Sequence, residues 1–230
     1  MNFLSHYYFE RDNHSSEEVL GTVLPDLVKN ANKHWRIFPE KNAAVFPAGS
    51  ELSYILNGWK RHLEVDKHFH SSAFFKEHAR KLRIAVEPVL KDSPARPFFI
   101  AHIAVELMLD SLLLTENIID TIDFYGHLNK SDKTILRSFL DMNNLPDTGF
   151  FLEFLDEFIT AAYLDSYRES QHILYALNRV CMRIWDQPFT EKQKTELTFI
   201  LVDYLEELKK DFMEIFELIE IQLSHSLRFQ

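Results

Sequence analysis

Thirteen residues, HIAVELMLDSLLL from His102 to Leu114, constrain this chain most: only His102, Glu106, Asp110 and Ser111 are polar. A helix that is apolar nearly all round has to be buried. His102, Glu106 and Asp110 stand at i, i+4 and i+8, so a helix keeps them on one face, drifting about 40° per step. His62, Asp66 and His70 repeat the same spacing. Buried carboxylates and imidazoles must be paired, hydrogen-bonded or metal-bound. Two such helices face to face make a metal site.

The rest of the sequence agrees with an all-helical fold. Gly and Pro are scarce, at 5 and 8 of 230 residues, and no stretch alternates as a strand would. A short apolar opening over residues 2–9 contains His6. A helix is predicted after Ser15 or Ser16, with Pro25 interrupting it or starting a new one at Asp26. Helices follow over about 51–70, 72–90 and 96–114. Ser131 is a candidate cap for the next, and the final helix is expected from near Thr190 toward residue 225. No linker or repeat divides the chain, so the expectation is one compact all-α domain over residues 1–230, with seven to nine helices. The 20 Phe read as a bulky core, or more sharply as an acyl-binding pocket. Cys181, the single cysteine, reads as a structural thiol.

A net charge of -10 argues against nucleic acid, which needs a basic surface. No apolar run of about 18 residues stands out, so no membrane span is expected. The opening MNFLSHYYFERD lacks the basic-then-apolar pattern of a signal peptide, and a cytoplasmic protein is the expectation.

Hard and borderline divalent cations take oxygen and imidazole ligands from several elements. The candidates are His6, Asp26, His62, Asp66, His70, His102, Glu106 and Asp110. Singly, each has a plainer reading. A lone His among apolar residues is more often a hydrogen-bonded core residue, and an Asp after Pro is more often a cap. A buried polar network without metal also satisfies such residues. Together they point to a cation. His68, His78, His127, His172 and His225 read as surface or partly buried residues outside the cluster.

The chain also resembles the acyl-carrier-protein phosphodiesterases. That family opens Met-Asn-Phe-Leu-Ala-His, and this chain opens MNFLSH. Its Gly-Asn-Leu-Leu-Ala-Asp-Phe-Val segment is matched by Gly21-Thr-Val-Leu-Pro-Asp26-Leu-Val28. Its Gly and His-Arg-x-Ile-Asp are matched in GWKRHLEVDKHFH by Gly58, His62 and Asp66. A Tyr-Arg…Leu-Asn…Arg pattern is met loosely by Tyr167-Arg168, Leu177-Asn178 and Arg183. The resemblance covers roughly residues 1–185. It implies the helical fold of the histidine–aspartate metal-dependent phosphohydrolases. It also implies Mn²⁺-dependent release of 4′-phosphopantetheine from holo acyl carrier protein. Carried over, His6, Asp26, His62 and Asp66 are metal or catalytic residues, the last three the catalytic candidates. The chain departs from the pattern at three places: the second Asp of the run is His70, the next helix has Glu106-Leu107 for Asp-His, and Thr22 stands for Asn.

Metal-assisted phosphodiester hydrolysis is thus the first expectation, with Asp66 as ligand or base. Lys76, Arg80, Lys81 and Arg83 form a basic strip that can meet an acidic carrier protein or be a solvated face. The rivals are a hydrolase of another phosphorylated substrate and a helical binding or structural protein without turnover.

Overall fold

In the computed structural model, which describes residues 1–226, the regular structure is helical throughout. The α-helices are α1 (Phe3–Tyr8), α2 (Ser16–Ala31), α3 (Glu51–Ser71), α4 (Ala73–Val86), α5 (Pro97–Thr115), α6 (Thr121–Lys130), α7 (Lys133–Met142), α8 (Thr148–Ala161), α9 (His172–Cys181), α10 (Glu191–Leu208) and α11 (Met213–Ser226). Short 3-10 segments fill Pro39–Val45 and Tyr163–Arg168. Many starts are set by side chains that accept the orphan amides of the first turn. Ser15, Ser72, Asp120, Asp132 and Asp147 cap α2, α4, α6, α7 and α8. Thr190 and Gln193 form a reciprocal capping box on α10.

Three expectations change. Pro25 lies inside α2 and does not break it. Its ring costs about 3 kcal/mol in a helix interior, but Val19 to Val28 are buried apart from Asp26, and tertiary burial outweighs that penalty. Ser131 closes α6, while Asp132, accepting from Thr134 and Ile135, starts α7. The final helix is two, α10 and α11, broken between Leu208 and Met213, so the α-helices number eleven among the described residues rather than seven to nine.

The chain divides into two compact units. The first comprises Met1–Asp66 and Ile119–Leu164. There α2 packs against α1, α6 and α8 around Leu20, Leu24, Leu27, Phe124 and Phe151, all fully buried. Phe3 meets Phe158 at 5.1 Å between ring centroids and Phe46 meets Phe139 at 5.1 Å, so these four pack as core, while Phe38, Phe98, Phe150 and Phe199 are exposed.

The second unit comprises Lys67–Ile118 and the chain from Asp165 on. Its central helix, α5, packs on α4, α9 and α10. Among the described residues α5 is long and apolar enough to cross a membrane, contrary to expectation, but 72% of it is buried inside the protein. It is a core helix. The Tyr167-Arg168 motif docks here: Ser111 donates to the Tyr167 carbonyl at 2.6 Å, and Arg168 to the Leu114 carbonyl at 2.7 Å. A cation on the last carbonyls complements the helix dipole, which gives Arg168 a structural task. Cys181 is buried, and burial pushes its thiol up to about 12.

Candidate metal centre

Within the first unit, α1 supplies His6 and α3 supplies His62 and Asp66. Their approach is set by two glycines. A Cβ on Gly58 would lie 2.0 Å from the Glu18 carbonyl oxygen, and one on Gly21 would lie 2.2 Å from that of Ile55. Only glycine lets α2 and α3 come this close. That contact brings the Thr22 carbonyl to 2.9 Å from His62 Nδ1. A carbonyl oxygen can only accept, so Nδ1 donates to it and Nε2 is the ring nitrogen that faces Asp66. A metal-binding histidine is commonly fixed this way.

The His6 ring stacks on His62, centroids 3.8 Å apart and planes 18° from parallel. His6 Nε2 lies 3.3 Å from Asp66 Oδ1, and His62 Nε2 lies 3.6 Å from Asp66 Oδ2. His6 is wholly buried, and neither ring nitrogen makes a hydrogen bond among the described residues. Buried polar atoms are seldom left so. Burial, then the neighbouring His62, pulls the His6 pKa down to about 3, so the ring is neutral at pH 7. Burial pushes Asp66 upward, but His6, the Met1 amine and His62 outweigh it and hold the carboxyl well below its usual range. The Met1 nitrogen is 2.6 Å from Asp66 Oδ1. Two imidazoles and a carboxylate, able to present one ligand atom each within 4.8 Å of one another, fit a divalent cation.

The second unit holds another group. His70 comes from the last turn of α3, and His102 and Glu106 from one face of α5. His102 Nε2 lies 3.0 Å and His70 Nε2 3.9 Å from Glu106 Oε1. These three also present ligand atoms within 4.8 Å of one another. The α5 stripe therefore divides: His102 and Glu106 join His70, while Asp110, fully buried, joins neither group. Asp26, half-buried on α2, also stands outside both among the described residues.

Several partners had no clear signature in the sequence. Glu10 is buried and bonded by Arg61 at 3.1 Å and Asn13 at 2.7 Å, which turns Arg61 to a structural use. Phe75 lies 4.9 Å from the His102 ring and 5.2 Å from that of His70. His78, expected outside any cluster, is buried with Nδ1 2.9 Å from Tyr204 Oη and Nε2 3.4 Å from Asp211. Lys76, Arg80, Lys81 and Arg83 are all exposed on α4.

Comparison with family models, curated proteins and solved structures returns no match for this chain.

Proposed function

We propose that this protein is a divalent-metal-dependent phosphodiester hydrolase, with holo acyl carrier protein as substrate and Mn²⁺ as its metal. The observation that carries the reading is the His6–His62–Asp66 group, in which one imidazole is oriented by a backbone carbonyl and the other, wholly buried, sets Nε2 3.3 Å from the same carboxylate. The substrate class rests on the resemblance to the acyl-carrier-protein phosphodiesterases and, through them, to the histidine–aspartate phosphohydrolases.

A divalent cation held there supplies an acidified water and offsets negative charge on the phosphoryl oxygens. Asp66 stays ionised and would anchor the cation. Thr22 orients His62, and α2 holds Thr22. His6 stacks on His62 and presents Nε2 toward the same carboxylate. Hydrolysis adds water across the bond from phosphorus to the carrier serine oxygen, yielding free phosphopantetheine and the serine hydroxyl.

The test is phosphopantetheine release from holo carrier protein by the full chain with Mn²⁺, Mg²⁺, Zn²⁺ or Fe²⁺. Release is expected with Mn²⁺, and Asp66→Asn should abolish it while circular dichroism stays unchanged. Metal bound without release by any of the four sinks the carrier-protein substrate and leaves another phosphorylated one. A second reading, a helical protein without turnover, is favoured by the Met1 amine on Asp66, which supplies a positive charge without metal. Failure of the chain to bind any divalent cation at the triad would decide for it.

A further inference from the structure

We infer that His70, His102 and Glu106 form a second metal site, in the second unit, selective for borderline transition metals such as Zn²⁺ over Mg²⁺ or Ca²⁺. The argument begins on α5. His102 and Glu106 are one helical turn apart, so both side chains leave the same face, and Nε2 and Oε1 already lie 3.0 Å apart. Ligands about 2.0–2.1 Å from a zinc ion stand roughly 3–3.5 Å from each other. His70 adds the third donor, 3.9 Å from the same carboxylate oxygen. Two imidazoles and one carboxylate are the donor set of open zinc and non-haem iron centres. Hard cations prefer oxygen alone.

The surroundings support the same conclusion. The α3–α4 turn, where Ser72 accepts from the Phe75 amide, sets the Phe75 ring beside both imidazoles. That contact walls one side and limits ring rotation. The side chains of His70 and His102 are 36% and 39% exposed, that of Glu106 only 11%. The carboxylate forms the floor and the imidazoles the rim, so coordination positions open to solvent and an ion has a way in. This inference stands apart from the hydrolase reading, because the site would load equally in a protein that turns nothing over.

The experiment uses the full chain stripped by chelator, titrated with Zn²⁺ calorimetrically and with Co²⁺ by visible absorption. Wild type should take up two Zn²⁺ per chain. Removing a ligand should cost at least the roughly 100-fold that loss of a supporting hydrogen bond can cost. His102→Ala, His70→Ala or Glu106→Gln should therefore each lose one equivalent and its Co²⁺ bands, with excess Mg²⁺ unable to compete. Asp66→Asn should keep that equivalent. The partly exposed His102 and His70 make folding of their alanine variants the expected result, checked by circular dichroism. Wild-type stoichiometry and spectrum in His102→Ala and His70→Ala, or no Zn²⁺ at all in Asp66→Asn, would overturn the second site. Absence of phosphopantetheine release would not touch either result.

Discussion

Thr22 shows how a residue can serve a site without lending its side chain. Its carbonyl orients His62, while its hydroxyl donates to the Glu18 carbonyl at 3.1 Å. Thr22→Val should therefore leave metal affinity at the first group within about twofold and lower stability by no more than about 1 kcal/mol. His62→Ala should weaken the metal at least about 100-fold, beyond the loss of a supporting partner. Calorimetric titration and thermal melts separate the two. A large affinity loss in Thr22→Val would mean that the hydroxyl, not the carbonyl, does the orienting. The same distinction marks how far single residues were legible. The i, i+4 spacing identified His62 with Asp66 and His102 with Glu106, because one helical turn dictates those neighbours. It could not divide the stripes, because which residues a neighbouring helix approaches depends on packing rather than spacing. So Asp110, in perfect register with Glu106, lies outside both groups.

At the level of elements, the α2–α3 crossing decides the first group. Alanine is favoured over glycine by up to about 1 kcal/mol inside a helix. Gly58→Ala should nonetheless destabilise, since its Cβ would meet the Glu18 oxygen and the Thr22 amide at 2.0 and 2.6 Å. Overpacking of this kind costs about 1–3 kcal/mol, read as a fall of about 2–4 °C in Tm per kcal/mol, and metal affinity should fall with it. A raised Tm would refute the close crossing. The α4–α10 contact makes a different prediction. Burial foremost, with help from Lys81 and against the pull of Asp211 and Glu77, holds the His78 pKa below its ordinary value. As pH falls through about 6.5 the unfolded chain takes up the proton first. The stability held by neutral His78 is therefore complete above that pH and is lost below it. Urea midpoints between pH 7.5 and 5.5 should drop more for wild type than for His78→Gln. Equal drops would exclude His78 as the source. Helix existence was legible from pattern, but boundaries were less so. Asp132 and Ser131 are both good caps. The break before Met213 falls in LKKDFME, which has neither Gly nor Pro to announce it.

At the scale of the whole molecule, charge would govern an encounter with an acidic carrier protein, the substrate proposed above. A chain of net charge -10 repels an acidic partner, although charges further apart than about 8 Å are largely screened at physiological salt. Docking then depends on a local patch, and α4 offers Lys76, Arg80, Lys81 and Arg83. Glu77 sits among them. It accepts from Arg80 at 3.1 and 2.8 Å and lies 4.0 Å from Lys81, and Arg80 foremost holds its carboxyl below the usual range. The strip is thus partly neutralised from within. Exposed ion pairs add little stability, so Glu77→Gln should fold normally while unmasking positive charge. With holo carrier protein as substrate, Glu77→Gln should lower KM and Arg83→Glu should raise it, each by roughly three- to tenfold, with kcat unchanged. That pattern marks binding made equally in ground and transition states. Both effects should shrink as salt rises, because rim charges act through steering. If neither substitution moves KM at low salt while release proceeds, the strip is a solvated helix face and the carrier docks elsewhere.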